Sequence, residues 1–154
     1  SIALTPDGQS LLVVDEGNRR ILQFNLNGTL LHEWQAETLS VQQPVDAMLD
    51  PSGDFYLLDA ATQEVVVRSS DGHVRRWRVP DPDEGVNTMA LDPTRGKVYV
   101  GGTDTSLYVF DLQGNLLGRT WAGGSRGVIV KLDPTGRVYV STGYDRIDLL
   151  EPTP

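Results

Sequence analysis

The chain contains no cysteine. That excludes disulfide scaffolds, thiolate metal sites and thiol nucleophiles, and it leaves the redox compartment open. Histidine occurs only as His32 and His73. Two imidazoles in outer-strand positions cannot supply the several convergent ligands of a zinc site. Basic residues are few: 13 against 21 acidic ones, for a net charge of −8. Nucleic-acid binding, which rests on cationic neutralisation of phosphates, is therefore not expected. No apolar run approaches the roughly 18 residues that cross a bilayer, so no direct membrane insertion by this segment is expected, and no signal peptide is read at the start. The first residue is Ser rather than Met, which suggests a processed chain or part of something longer. Helical periodicity is also missing, because no window keeps the spacing i, i+3, i+4, i+7 for ten residues.

What is present is punctuation and a repeat. There are 16 Gly and 9 Pro in 154 residues. Thr5-Pro6-Asp7-Gly8, Asp50-Pro51-Ser52-Gly53, Asp92-Pro93-Thr94-Arg95-Gly96 and Asp133-Pro134-Thr135-Gly136 share one turn pattern, with prolines 45, 42 and 41 residues apart. A period near 42 fits either a helical repeat or a four-stranded propeller blade. Short runs of Val, Leu, Ile and Tyr cut by Gly and Pro decide for strands.

The spacing predicts an all-β fold, a β-propeller of four-stranded antiparallel blades. About four blades and 15 strands are present, in one segment spanning 1–154. The blades fall at about 1–42, 43–86, 87–126 and 127–154, the last lacking its outer strand. Asn27-Gly28 and Asp71-Gly72 are placed in tight hairpins, where such dipeptides accept positive φ. Trp34, Trp77 and Trp121 are read as one repeated position that fills the outer gap between blades.

Asp15-Glu16-Gly17-Asn18-Arg19-Arg20-Ile21-Leu22-Gln23-Phe24 resembles the signature of NHL-type propeller repeats. Asp145-Arg146-Ile147 keeps part of it in the fourth repeat. The resemblance implies a six-bladed propeller superfamily, of which this would be a four-blade segment and an incomplete ring. The ring could be finished by more of the same polypeptide, by partner subunits over open ends, or by a second copy; four blades could also close on themselves. The resemblance also implies an extracytoplasmic location, periplasmic or extracellular.

Function is expected where loops vary on a rigid frame. The loops between second and third strands, and those between blades, satisfy that condition. Asp15, Asn18, Arg20, Asp59, Asp104, Tyr144, Asp145 and Arg146 form the candidate binding face. Asp15, Asp59 and Asp145 are the available oxygen ligands for a hard cation such as calcium; the opposite reading has each carboxylate capping its own turn or pairing with Arg20 or Arg146. The acidic loop Pro80-Asp81-Pro82-Asp83-Glu84-Gly85 lacks EF-hand spacing and reads as a solvated connection. Gly123-Gly124-Ser125-Arg126-Gly127 lacks the context of a nucleophile elbow or a phosphate loop. Arg75, Arg76, Trp77 and Arg78 on one outer strand form a candidate partner edge, or a charged guard against sheet-to-sheet association. No catalytic set and no cofactor are expected. The reading adopted is a non-catalytic protein-interaction scaffold or accessory subunit of a larger assembly, bound to protein partners or to the rest of the propeller. The alternative implied by resemblance is a gluconolactonase-like hydrolase with a divalent cation in the central funnel.

Overall fold

The computed structural model describes residues 1–80, 85–122, 127–143 and 147–150. The described residues are all-β, with fifteen strands in four antiparallel sheets. The chain divides into two compact units, Ser1–Arg78 and Val79–Pro154.

The first unit holds two blades. Blade 1 is β1 (Ile2–Leu4), β2 (Ser10–Asp15), β3 (Arg20–Asn25) and β4 (Leu30–Gln35). Blade 2 is β5 (Pro44–Leu49), β6 (Phe55–Asp59), β7 (Glu64–Arg68) and β8 (Val74–Arg78). In both, strands pair in sequence order. Strand β2 alternates buried and half-buried positions, as a sheet with one deeper face must. Its buried face, Leu12, Val14 and Ile21 of β3, packs on Ala47, Phe55, Leu57 and Val66 of blade 2. A short 3₁₀ turn, Ala36–Leu39, closes the top of this core with Ala36, Leu39 and Val41. Each such buried aliphatic contributes about 1.5–3 kcal/mol.

The second unit holds blade 3, β9 (Val86–Asp92), β10 (Lys97–Gly102), β11 (Ser106–Asp111) and β12 (Leu116–Trp121), and the three-stranded blade 4, β13 (Val128–Leu132), β14 (Val138–Thr142) and β15 (Ile147–Leu150). Among the described residues β15 pairs only with β14 and is an edge. Strand β13 packs on β9 and β10. The approach is close at Gly101, where an added Cβ would lie 2.9 Å from the Val128 carbonyl oxygen. Blade 3 therefore has no room for a larger residue there.

The reversals confirm the repeat and refine its chemistry. Asn25, Asp50, Ser69, Asp111 and Asp133 each accept from the amide of a glycine three residues on, Gly28, Gly53, Gly72, Gly114 and Gly136. Those glycines all have φ between +80° and +91°. The loops are three-residue hairpins with one left-handed glycine, so Asn27 and Asp71 do not take the positive φ that a two-residue Asn-Gly or Asp-Gly turn would demand. The side chain at the first position does the remaining work. Asn25, Asp50, Asp111 and Asp133 each accept two further backbone amides through Oδ1. That is why Asp or Asn recurs before the turns.

The tryptophans do not share one slot. Trp34 lies opposite Ile21 and Trp77 opposite Val65, at equivalent places in their blades. In blade 3 the residue opposite the corresponding Leu107 is Thr120, and Trp121 pairs with Ser106. A slip of one residue reverses the face of a strand side chain. Trp34 accordingly packs on Phe55 with ring centroids 5.3 Å apart, whereas Trp121 is 69% exposed.

Candidate functional site

The expected binding face begins at the ends of β2, β6 and β10. Asp15, the last residue of β2, accepts from Asn18 Nδ2 at 3.0 and 2.9 Å and from Arg20 Nε at 2.8 Å. These bonds, the Asn18 pair first and Arg20 second, hold its carboxyl below the ordinary aspartate value. Arg20 also reaches Glu33 Oε1 at 3.3 Å. The three residues singled out by the repeat signature, Asp15, Asn18 and Arg20, thus form one local hydrogen-bonded set.

Asp59 has a different neighbourhood. It is buried, and its carboxylate accepts three backbone amides: Gln42 at 2.7 Å, Gln43 at 3.0 Å and Ala61 at 3.0 Å. Two of these donors belong to the segment that leads from blade 1 into blade 2, so Asp59 fastens that segment to its own loop. In the second unit, Asp104 accepts from the Ser106 amide at 3.0 Å and from Ser106 Oγ, and pairs with Arg119 at 3.1 Å. Asp92 pairs with Arg95 at 2.9 Å. Tyr144, Asp145 and Arg146 lie outside the described residues, as do Asp81–Glu84 of the acidic loop and 123–126 of the glycine-rich loop. Among the described residues no three His, Asp or Glu side chains are grouped to hold a metal ion.

The candidate partner edge is split by the pleat. Arg75 and Trp77 turn to the half-buried face and Arg76 and Arg78 to the exposed one. Arg75 donates to Tyr56 Oη and Ser69 Oγ, both at 3.3 Å, and stands over the Tyr56 ring at 6.0 Å. Arg76 pairs with Glu64 at 3.3 Å. His32 stacks on Trp34, and His73 meets Asp71 at 3.0 Å in a hairpin turn, so the two imidazoles have separate structural settings.

Sequence reasoning missed three features. Arg19, Gln63 and Thr105, each the last residue before a third strand, all adopt left-handed backbone with φ of 52°, 56° and 71°. Arg19 uses that turn to donate from Nε to the Gln42 carbonyl at 2.9 Å, and Gln43 Nε2 donates to Glu16 at 2.8 Å. Glu16, Arg19, Gln42, Gln43 and Ala61 line an open depression in the first unit. Asp46 is a fully buried carboxylate in β5, at a bulge between the Pro44–Asp59 and Asp46–Leu58 pairs. An aspartate inside an apolar strand was the available signal. In the second unit a cleft of about 380 Å³ lies between blades 3 and 4, lined by Tyr99, Leu107, Val109, Leu117, Val138 and Leu150. It exists because Gly118 and Thr120 stand on the face that Trp34 fills in blade 1.

These sheets define a β-propeller. The same class appears among solved structures. A streptogramin B lyase superposes with a TM-score of 0.70 and 12% identity over 97% of this chain and 53% of the lyase chain. A virginiamycin B lyase from Staphylococcus aureus gives 0.68 and 14% over 99% and 55%. Kuenenia stuttgartiensis hydrazine synthase gives 0.71 and 17% over 97% and 45%. These neighbours are propeller folds, and at such identity the likeness shows the fold alone. The chain spans about half the length of the solved chains it matches. No family model matches the sequence, and no curated protein does.

Proposed function

We propose that the chain is an NHL-like propeller segment that binds protein, as a scaffold or accessory subunit, and performs no chemistry of its own. One observation carries the reading. The described carboxylates at the ends of the second strands are spent on neighbouring loop amides and side chains. Asp15 serves Asn18 and Arg20, Asp59 serves three amides, and Asp104 serves Ser106 and Arg119. A cation-dependent hydrolase needs such oxygens free and convergent. The exposed arginines of β8 suit an acidic partner surface. The extracytoplasmic setting belongs to the same proposal and is supported by the repeat signature.

Isothermal titration with calcium chloride, run beside a lactone-hydrolysis assay, tests it. The expected result is no saturable heat and no turnover. Micromolar calcium binding that Asp15→Asn abolishes, or turnover lost in that variant, overturns the proposal in favour of the hydrolase. Arg76→Glu with Arg78→Glu should keep the fold and weaken recovery of a partner cross-linked to the native chain.

A further inference from the structure

Between blades 1 and 2 three rings pack in series. His32 and Trp34 of β4 lie 5.5 Å apart between centroids, and Trp34 lies 5.3 Å from Phe55 of β6. The repeat register identifies their counterparts between blades 3 and 4. His32 faces Gln23 and Trp34 faces Ile21, as Gly118 faces Val109 and Thr120 faces Leu107. Phe55 and Val138 each stand second after the turn glycine and pair with the last residue of the preceding strand, Leu49 and Leu132. Gly118, Thr120 and Val138 all line the cleft of about 380 Å³. The cleft therefore lies where the first unit keeps its three rings.

Two more exchanges shape it. Val109 stands where blade 1 has Gln23, so the wall beside Leu107 is apolar. Lys97 stands where blade 1 has Ser10. Its ammonium group lines the cleft, half-buried, with no hydrogen bond or ion pair among the described residues. Arg119 also lines the cleft, but it is paired with Asp104. An outer strand added to blade 4 would wall this space without plugging it. In blade 2 the outer-strand residues on the Phe55 side, Val74 and Arg76, are exposed, and the rings do the filling.

We infer that the cleft between blades 3 and 4 binds a small molecule made of a flat aromatic ring system with an acidic substituent. The ring takes the place of the missing stack and the anion meets Lys97. The volume lies within the range of small-molecule sites, which are mostly apolar with a few placed polar groups. A ring entering it gains the packing contacts that the shortened side chains leave unmade. This site is separate from the arginines of β8, and its ligand is additional to the protein partner proposed above.

Calorimetric titration of the whole chain with indole-3-acetate, and separately with uncharged indole, tests the inference. Indole-3-acetate should bind at one saturable site with a Kd below about 1 mM, and indole more weakly. Thr120→Trp rebuilds the central ring. It should weaken both ligands about tenfold or more and raise the urea midpoint, with circular dichroism unchanged. Gly118→His should act in the same direction, since a Cβ at Gly118 meets no atom within 4 Å. Lys97→Met should weaken indole-3-acetate about twofold to fivefold and leave indole unchanged. No saturable binding of either probe, by calorimetry or by saturation-transfer NMR, overturns the inference. So does binding that both ring-restoring variants leave at the parent's strength, or a loss in Lys97→Met that is equal for the two probes.

Discussion

Replacing Asp59 separates a structural carboxylate from a chemical one. Its two oxygens accept three amides, with Oδ2 serving Gln42 and Oδ1 serving Gln43 and Ala61. Asp59→Asn keeps an acceptor at Oδ1 and turns Oδ2 into an amide that faces the Gln42 N–H, donor against donor. One charge-assisted bond is lost, about 1.5–3 kcal/mol, and one shielded donor is left without an acceptor. Asp59→Ala removes all three acceptor contacts and should cost about 4–6 kcal/mol, a large fraction of the stability of a domain this size. Urea unfolding followed by tryptophan fluorescence measures both, because Trp34 sits in the adjoining core. The midpoint should fall with the slope unchanged. Protein concentration must be held constant, since self-association would shift the midpoint by mass action. The reasoning fails if Asp59→Asn unfolds within about 0.5 kcal/mol of the parent, a difference typical of surface positions.

Three further outcomes follow from the packing and the turns. Trp34→Ala should cost about 2–4 kcal/mol by opening a gap against Phe55, whereas Trp121→Ala should change stability by less than about 0.5 kcal/mol; equal losses would refute the register difference. Thr105→Gly should raise the urea midpoint by about 0.5–1 kcal/mol, because it relieves a β-branched residue at φ 71° whose buried hydroxyl lacks a partner among the described residues, and a lower midpoint counts against that strain. Asp15, Asp111 and Asp133 have carboxyls held below the ordinary value, chiefly by hydrogen bonds from Asn18, Asn115 and Thr135 respectively. A depressed folded-state value means that their stabilisation is complete above about pH 4 and is lost as pH falls through the folded values. Asp111→Ala should therefore flatten the acid limb of a stability-against-pH curve, and an unchanged limb would show that this turn contributes nothing.

The fold was legible because its punctuation is local. Pro-Asp-Gly and Asn-Gly runs mark reversals whatever they pack against, and Val, Leu, Ile and Tyr between them leave no helical reading. The expected fifteen strands are therefore the fifteen found among the described residues. Trp121 shows where spacing misleads. It lies 44 residues after Trp77 and 43 separate Trp77 from Trp34, yet blades 1 and 3 share one hairpin register, shift included, and in it Thr120 rather than Trp121 takes the place of Trp34. Pairing register depends on partners across the sheet, which intervals along one strand do not report. The site was legible only in part. The signature residues Asp15, Asn18 and Arg20 do assemble, but the Gln42 and Gln43 amides that occupy Asp59 lie in a connecting segment with no motif. Backbone groups recognise a carboxylate without leaving a mark in side-chain identity.

The lateral margin of β15 has its own consequence. Among the described residues that margin has no strand partner, and its amides and carbonyls would pair with an extended backbone whatever its side chains. Recruitment there would be promiscuous by nature, templating whichever segment arrives first, and it would tie the behaviour of the purified chain to crowding and to the presence of unfolded material. A proline placed on that margin would silence it without touching the interior.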